Sequence, residues 1–253
     1  MPRGLSEYDS ARGQGRLWTP EVLRPDAWFD ASDLSTITVA TGVSEWRDKS
    51  GNGLNLSPTS TAPTLKIESQ NGFNSIAYAS TPTVTAAFSK TYTEQTNIAV
   101  FKSALAGTNK RLWSNLNGSN SEITYIPMRT SFTGASEVYL QSEFGGTGRA
   151  GYRFKPDSWN IFYSSISSTQ ILTAGNGSSV TSYSLTWSGS TVTRFGHPPY
   201  DTWGGGELGE VLVYPFAASD AQRQVIEGYM AWKWAIPLAA DHPFANRPPL
   251  IGD

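Results

Sequence analysis

Glu207-Leu208-Gly209-Glu210-Val211-Leu212-Val213-Tyr214-Pro215, followed shortly by Ser219-Asp220-Ala221-Gln222, is the stretch on which the fold turns. Its first part becomes mostly apolar toward its end, as a central strand covered on both faces does. Its second part is a helix start. Ser219 suits the N-cap and Gln222 the third helical position, the pair that forms a capping box. Val225, Ile226, Tyr229 and Trp232 then recur at helical spacing, one stripe for packing on a sheet, and Pro237 stops the run. No other segment reads as a long helix.

Working back from that strand, the texture is strand and turn. Ile37-Thr38-Val39, Ile76-Ala77-Tyr78, Asn97 to Phe101, Ile123 to Ile126, Val138 to Leu140, Trp159 to Ile166, Ser182 to Trp187 and Val192 to Phe195 are rich in β-branched or aromatic residues. Between them stand Ser50-Gly51-Asn52-Gly53, Asn117-Gly118, Gly145-Gly146 and Asn176-Gly177, the residue types that tight hairpins need. Turn signals every 8–12 residues or so predict an all-β sandwich or jelly roll. Thr19-Pro20-Glu21 predicts a short helix that Pro25 limits to about one turn.

Composition narrows the chemistry. Of 253 residues, 56 are Ser or Thr, 16% are charged, the formal net charge is −2, and there is no Cys. The low charge argues against a nucleic-acid partner. The missing cysteines exclude disulfide frameworks and thiolate metal sites or nucleophiles. His197 and His242 are the only histidines. No run approaches the roughly 18 apolar residues of a membrane span, and the opening residues lack the apolar core of a secretory signal. Three parts are expected: an extended attachment arm over 1–18, a jelly-roll sandwich over 19–237 that includes the helix 219–234, and a Pro-rich strap over 238–253. The arm carries Arg3, Arg12 and Arg16 among glycines and could not form a core by itself.

Three stretches together resemble a known family. They are Leu17-Trp18-Thr19-Pro20 with Ala27-Trp28-Phe29-Asp30-Ala31-Ser32-Asp33; Val43-Ser44-Glu45-Trp46-Arg47-Asp48-Lys49-Ser50-Gly51-Asn52-Gly53; and Gly209 to Pro215 with Trp232-Lys233-Trp234 and Asp241-His242-Pro243-Phe244. The combination is similar to the concanavalin A-like, laminin-G-like jelly-roll domains of tailed-phage virion proteins and bacterial surface proteins. It brackets both ends of the chain, whereas residues 85–205 match in texture alone. That fold hosts lectins, glycosidases and structural modules alike. The first and last strands are expected to pair, because domain termini often lie together.

Asp48 to Gly53 matches the first half of a calcium loop, but Thr59 stands where the closing Glu belongs. The reading taken is a turn in which Asp48 and Asn52 bond nearby backbone N–H groups and Gly51 and Gly53 supply positive φ. Related laminin-G folds bind calcium at loop ends, so Asp48 and Asn52 stay candidates for a single ion. No pair of acids with glycosidase spacing appears: Glu207 and Glu210, three apart, are expected on opposite faces of a strand. The loop before the last strand, Phe195 to Gly206, carries His197, Tyr200, Asp201 and Trp203, groups that suit a sugar or a protein partner. Covering the sandwich edge is the equal alternative. Trp113, Trp159, Trp187, Trp232 and Trp234 are read as core or helix-packing residues.

The resulting expectation is a non-enzymatic bacteriophage virion protein without cofactor, made in the host cytoplasm and oligomeric in the particle. Its arm would hold it to a major capsid or tail protein, as a capsid decoration or head-fibre protein. A tail-associated, lectin-like adhesin for host-surface glycans is the alternative, and a polysaccharide-degrading enzyme comes third. Neither nucleic acid nor membrane is expected as a partner.

Overall fold

The computed structural model describes residues 16–58, 61–78, 86–103, 110–116, 122–130, 138–144, 148–195 and 206–253. In chain order the strands are β1 (Ala27–Asp30), β2 (Ile37–Val39), β3 (Val43–Trp46), β4 (Thr64–Gln70), β5 (Phe73–Tyr78), β6 (Ala86–Tyr92), β7 (Gln95–Ser103) and β8 (Lys110–Leu116). They continue with β9 (Glu122–Thr130), β10 (Val138–Phe144), β11 (Gly148–Phe154), β12 (Trp159–Ile166), β13 (Gln170–Gly175), β14 (Thr181–Ser184), β15 (Ser190–Phe195) and β16 (Gly206–Tyr214). Helix α1 (Asp220–Trp234) follows.

The strands form an eight-stranded antiparallel sheet, β14-β13-β12-β7-β16-β5-β4, in which β1 also pairs with β16. A six-stranded sheet, β11-β10-β9-β8-β15-β6, and a two-stranded ribbon of β2 and β3 complete the architecture. The expected pairing of first and last strands is present: Ala27, Trp28, Phe29 and Asp30 face Val213, Leu212, Val211 and Glu210. The last strand is therefore central, with β7 on one side and β5 and β1 sharing the other.

Because alternate strand residues share a face, the eight-stranded sheet feeds two apolar layers. Ala99 and Phe101 of β7 and Val211 and Val213 of β16 point inward, where Phe29, Trp46, Phe154, Phe162 and Trp187 join them. Ile98, Val100, Leu212 and Tyr214 point outward, under Val225, Ile226, Tyr229, Met230 and Trp234 of α1. The helix begins as its sequence dictates: Ser219 Oγ accepts from Gln222 N, and Gln222 Oε1 accepts from Ser219 N. It ends with Ala235 in the left-handed region, two residues before Pro237. Thr19-Pro20 does open a single helical turn, Pro20–Leu23, of the tighter 3₁₀ kind.

Two local expectations need correction. The strand expected over Ser182 to Trp187 is regular only as far as Ser184. Beyond it Trp187 turns in and buries its ring between the layers. The second correction concerns β16. Its register against β7 shifts between Leu208 and Glu210, a β-bulge at Gly209. The extra residue breaks the two-residue alternation, so Glu207 and Glu210 lie on the same, helix-facing side instead of opposite ones. Gly209 is required there: a Cβ would stand 2.8 Å from the Trp234 ring, and its carbonyl accepts from Ala31 N.

The strap is tied to the start of the described chain. Leu17 bridges to Leu250, Trp18 N donates to Pro249 O, and Ile251 N donates to Arg16 O. Arg247 holds Asp253 through two hydrogen bonds of 2.8 and 2.9 Å.

Candidate functional site

The three stretches that carry the family resemblance converge in one buried polar network. Glu210 is fully buried, and its Oε1 accepts from Trp28 Nε1 (2.8 Å) and Tyr229 Oη (2.9 Å). Its Oε2 accepts from Lys233 Nζ (2.9 Å) and Trp234 Nε1 (2.8 Å). Lys233 also meets Asp30 at 2.9 Å. Asp30 in turn takes Lys49 at 2.9 Å and the amide and hydroxyl of Ser32, and Lys49 continues to Asp33 at 3.0 Å. Burial pushes the Asp30 carboxyl up, but Lys233, Lys49 and the Ser32 hydroxyl outweigh it and hold it down at about 2. Burial likewise disfavours the Lys233 ammonium, and the Glu210 and Asp30 carboxylates reverse that, leaving its pKa raised. Every charge has an opposite neighbour, so the network fastens β1, β16, α1 and the loop after β3 together.

Asp48 belongs to the same fastening. Its Oδ1 accepts from Trp28 N and Ser50 N, and its Oδ2 from Ser50 Oγ and Leu54 N. Gly51 and Gly53 have positive φ, as the turn reading requires. Asn52 differs from expectation: its side-chain amide donates, to Asp26 O and Ser50 Oγ, instead of accepting from backbone. Among the described residues no group of three or more metal-ligating side chains converges.

Among the described residues, open space borders the same sheet face past the C-terminal end of α1. There the register aligns Trp159 of β12 with Lys102 of β7, Lys102 with Glu207 of β16, Glu207 with Ala77 of β5, and Ala77 with Thr64 of β4. Their faces follow from their neighbours. Phe73 of β5 packs in the outer layer while Ile76 and Tyr78 are in the inner one, so Ala77 faces outward. Lys102 follows Ile98 and Val100 at two-residue steps, and Glu207 follows from the bulge. Two adjoining hollows of about 570 and 440 Å³ border this row and share Lys102 and Asp157. Trp159, Lys155 and Asn176 line the first, and Lys66, Ala77 and Glu207 the second.

Trp159 and Glu207, and the turn beside the row, are held in place. Trp159 is half-buried and stacks on Trp234 at 5.9 Å between ring centres. The turn that delivers Lys155 and Asp157 is pinned by Asn160, whose amide donates to Lys155 O and Ser158 O, and by Asp157 N donating to Ser103 O. Asn176 supports it, donating to Asn160 Oδ1 and accepting from Ile161 N. Glu207 takes the hydroxyls of Ser69 and Ser75, with Lys66 and Lys102 each at 3.6 Å. Burial alone would raise its pKa; the two serines and two lysines lower it overall. The β4–β5 hairpin closes the end of the helix, with Gln70 donating to Trp234 O and Asn71 to Lys233 O, both at 2.8 Å.

No family model and no curated protein matches the sequence. Solved structures match its fold. Domain 4 of AbnA, a GH43 extracellular arabinanase from Geobacillus stearothermophilus, in complex with arabinotriose, aligns over 79% of this chain and 96% of its own, with a TM-score of 0.52 and 12% identity. The receptor binding domain of botulinum neurotoxin C/D mosaic serotype aligns over 86% of this chain and 55% of its own, with a TM-score of 0.57 and 8% identity. The binding domain of Paraclostridial Mosquitocidal Protein 1 aligns over 81% and 55%, with a TM-score of 0.54 and 11% identity. The chain is an all-β jelly-roll sandwich with one helix packed on it. It spans nearly all of the arabinanase domain and about half of the toxin chains.

Of the residues expected at a site, His197, Tyr200, Asp201 and Trp203 lie outside the described residues, as do Arg3 and Arg12, while Trp113 lies on β8. Gly206, which follows that loop, lines the smaller hollow. Arg16 is exposed. Trp187, Trp232 and Trp234 are buried, as read from the sequence. Trp159 divides its role, packing on Trp234 while bordering the open row. Lys102, Glu207 and Asp157 went unassigned. The signal for Lys102 was a lysine continuing the apolar alternation of Ile98 and Val100, where a strand leaves cover.

Proposed function

We propose that this chain is a non-catalytic, glycan-recognising β-sandwich module carried on the surface of a bacteriophage particle. The observation that carries the binding role is the row Trp159–Lys102–Glu207–Ala77–Thr64, an aromatic ring and polar groups along a stretch of sheet that α1 leaves uncovered. Aromatic faces and preset hydrogen-bonding groups are what sugar recognition needs. The likeness to an arabinanase domain solved in complex with arabinotriose and to a receptor binding domain supports the same class. Glu210 supports a non-catalytic role, because four donors already occupy its two oxygens. Carriage on a virion, as capsid decoration or tail adhesin held by the arm 1–18, rests on the resemblance of the terminal motifs to phage modules.

Three measurements test this reading. The purified protein should retain host-surface polysaccharide on an affinity gel, and Trp159→Ala should lose that retention while keeping its melting transition. Release of reducing ends from the same polymers would overturn the non-catalytic role. A variant lacking residues 2–15, which spares Leu17 and the buried Trp18 at the base of the arm, should stay folded but no longer attach to particles; continued attachment would remove the arm from the proposal.

A further inference from the structure

The row has a direction and a charge pattern, and both constrain the ligand. It crosses five neighbouring strands, so it runs perpendicular to them for about 19 Å, four spacings of about 4.8 Å. That is a track and not a socket. Ala77, near its middle, has a small side chain and leaves the floor low. At one end Trp159 is braced from behind by Trp234.

The charges along the track are close to balanced. Lys66, Lys102 and Lys155 face Glu207 and Asp157. Glu207 lies between Lys66 and Lys102, at 3.6 Å from each. A carboxylated polymer would have to approach Glu207 and Asp157. A duplex or a phosphate chain would find one cation in excess. Sugar hydroxyls instead both donate and accept. An alternation of ammonium donors and carboxylate acceptors, held by Ser69, Ser75 and the pinned turn 155–158, matches that dual character.

We infer that the ligand is a neutral, linear glycan laid across the strands of the eight-stranded sheet, with one ring stacked on Trp159 and neighbouring hydroxyls bonded by Lys102 and Glu207. This rests on the glycan-binding reading above and specifies the class of glycan. The loop of His197, Tyr200, Asp201 and Trp203 is not needed for it.

Calorimetric titration of the full chain tests the inference. The probes are β-1,4-glucan, β-1,4-mannan, β-1,4-xylan and α-1,5-arabinan oligomers from dimer to hexamer, with oligogalacturonate as charged counterpart. At least one neutral series should bind with an affinity that climbs with length and then levels off, nearly unchanged between low and high salt. Trp159→Ala should weaken it by about tenfold or more, the worth of one aromatic stack. Ala77→Phe, which fills the middle of the track, should do the same with an unaltered melting curve. Tyr183→Ala on β14, at the far edge of the sheet, should have no effect.

Preference for oligogalacturonate with steep salt dependence, or a dimer binding as tightly as a hexamer, would overturn the neutral, linear ligand and leave a glycan-binding module. Binding that survives both Trp159→Ala and Ala77→Phe would move the site off this track. No binding by any probe would sink the glycan reading itself.

Discussion

Glu207 and Glu210 stand on one strand and one face, and their surroundings make them different objects. Glu210 is sealed beneath α1 with four donors on its carboxylate, while Glu207 sits past the end of the helix among serines and lysines that border open space. The same functional group serves assembly in one place and is available for recognition in the other. Helix cover decides which. Beneath it a charge must be matched by fixed partners or it breaks the fold; beyond it the partners can be those of a ligand.

That contrast is open to attack by mutation. Glu210→Ala strips Lys233 of one of its two carboxylates and leaves Trp28, Trp234 and Tyr229 without their acceptor. It should cost about 3–5 kcal/mol in chemical denaturation. Equal tolerance of Glu210→Ala and Glu207→Gln would erase the distinction. Acid titration comes next. The folded-state pKa of Asp30 lies below its unfolded value, so its contribution is present above the ordinary carboxylate pKa of about 4. It is lost as pH falls toward about 2, an effect on the order of 2 kcal/mol. Asp30→Asn should abolish that part of the acid sensitivity. Gly209→Ala forces a methyl against the Trp234 ring and should cost about 1–3 kcal/mol, read as a lowered denaturation midpoint. Ser219→Ala removes the helix cap for about 1 kcal/mol. Glu207→Gln should change stability by less than about 1 kcal/mol, since its lysine partners are partly exposed. Its effect belongs to binding.

Much of the framework was legible in the sequence because it is written locally. The capping box at Ser219 and Gln222, the apolar stripe of α1 and the strand Trp159 to Ile166 each depend on residues within a few positions of one another. The buried network was legible only as separate motifs, since Trp28 and Glu210 are 182 residues apart and nothing local says that they meet. The bulge has a local signal, since an isolated glycine inside a strand pattern often marks one. Strict alternation through Gly209 instead places Glu207 and Glu210 on opposite faces and hides the row. Trp159 was assigned by residue type, and type alone does not tell a ring's packed side from the side that borders solvent.

The placement of β16 has a consequence for how the molecule is made. The last of the described strands in chain order occupies the middle of the eight-stranded sheet, between β7 on one side and β5 and β1 on the other. Until residues 206–214 emerge, the earlier strands have a gap at their centre and two exposed edges facing it. Closing that gap joins segments far apart in the chain, Ala27 with Val213 among them, the kind of topology that folds slowly. A nascent chain stalled ahead of β16 would display unpaired strands, and those are the surfaces from which aggregation starts.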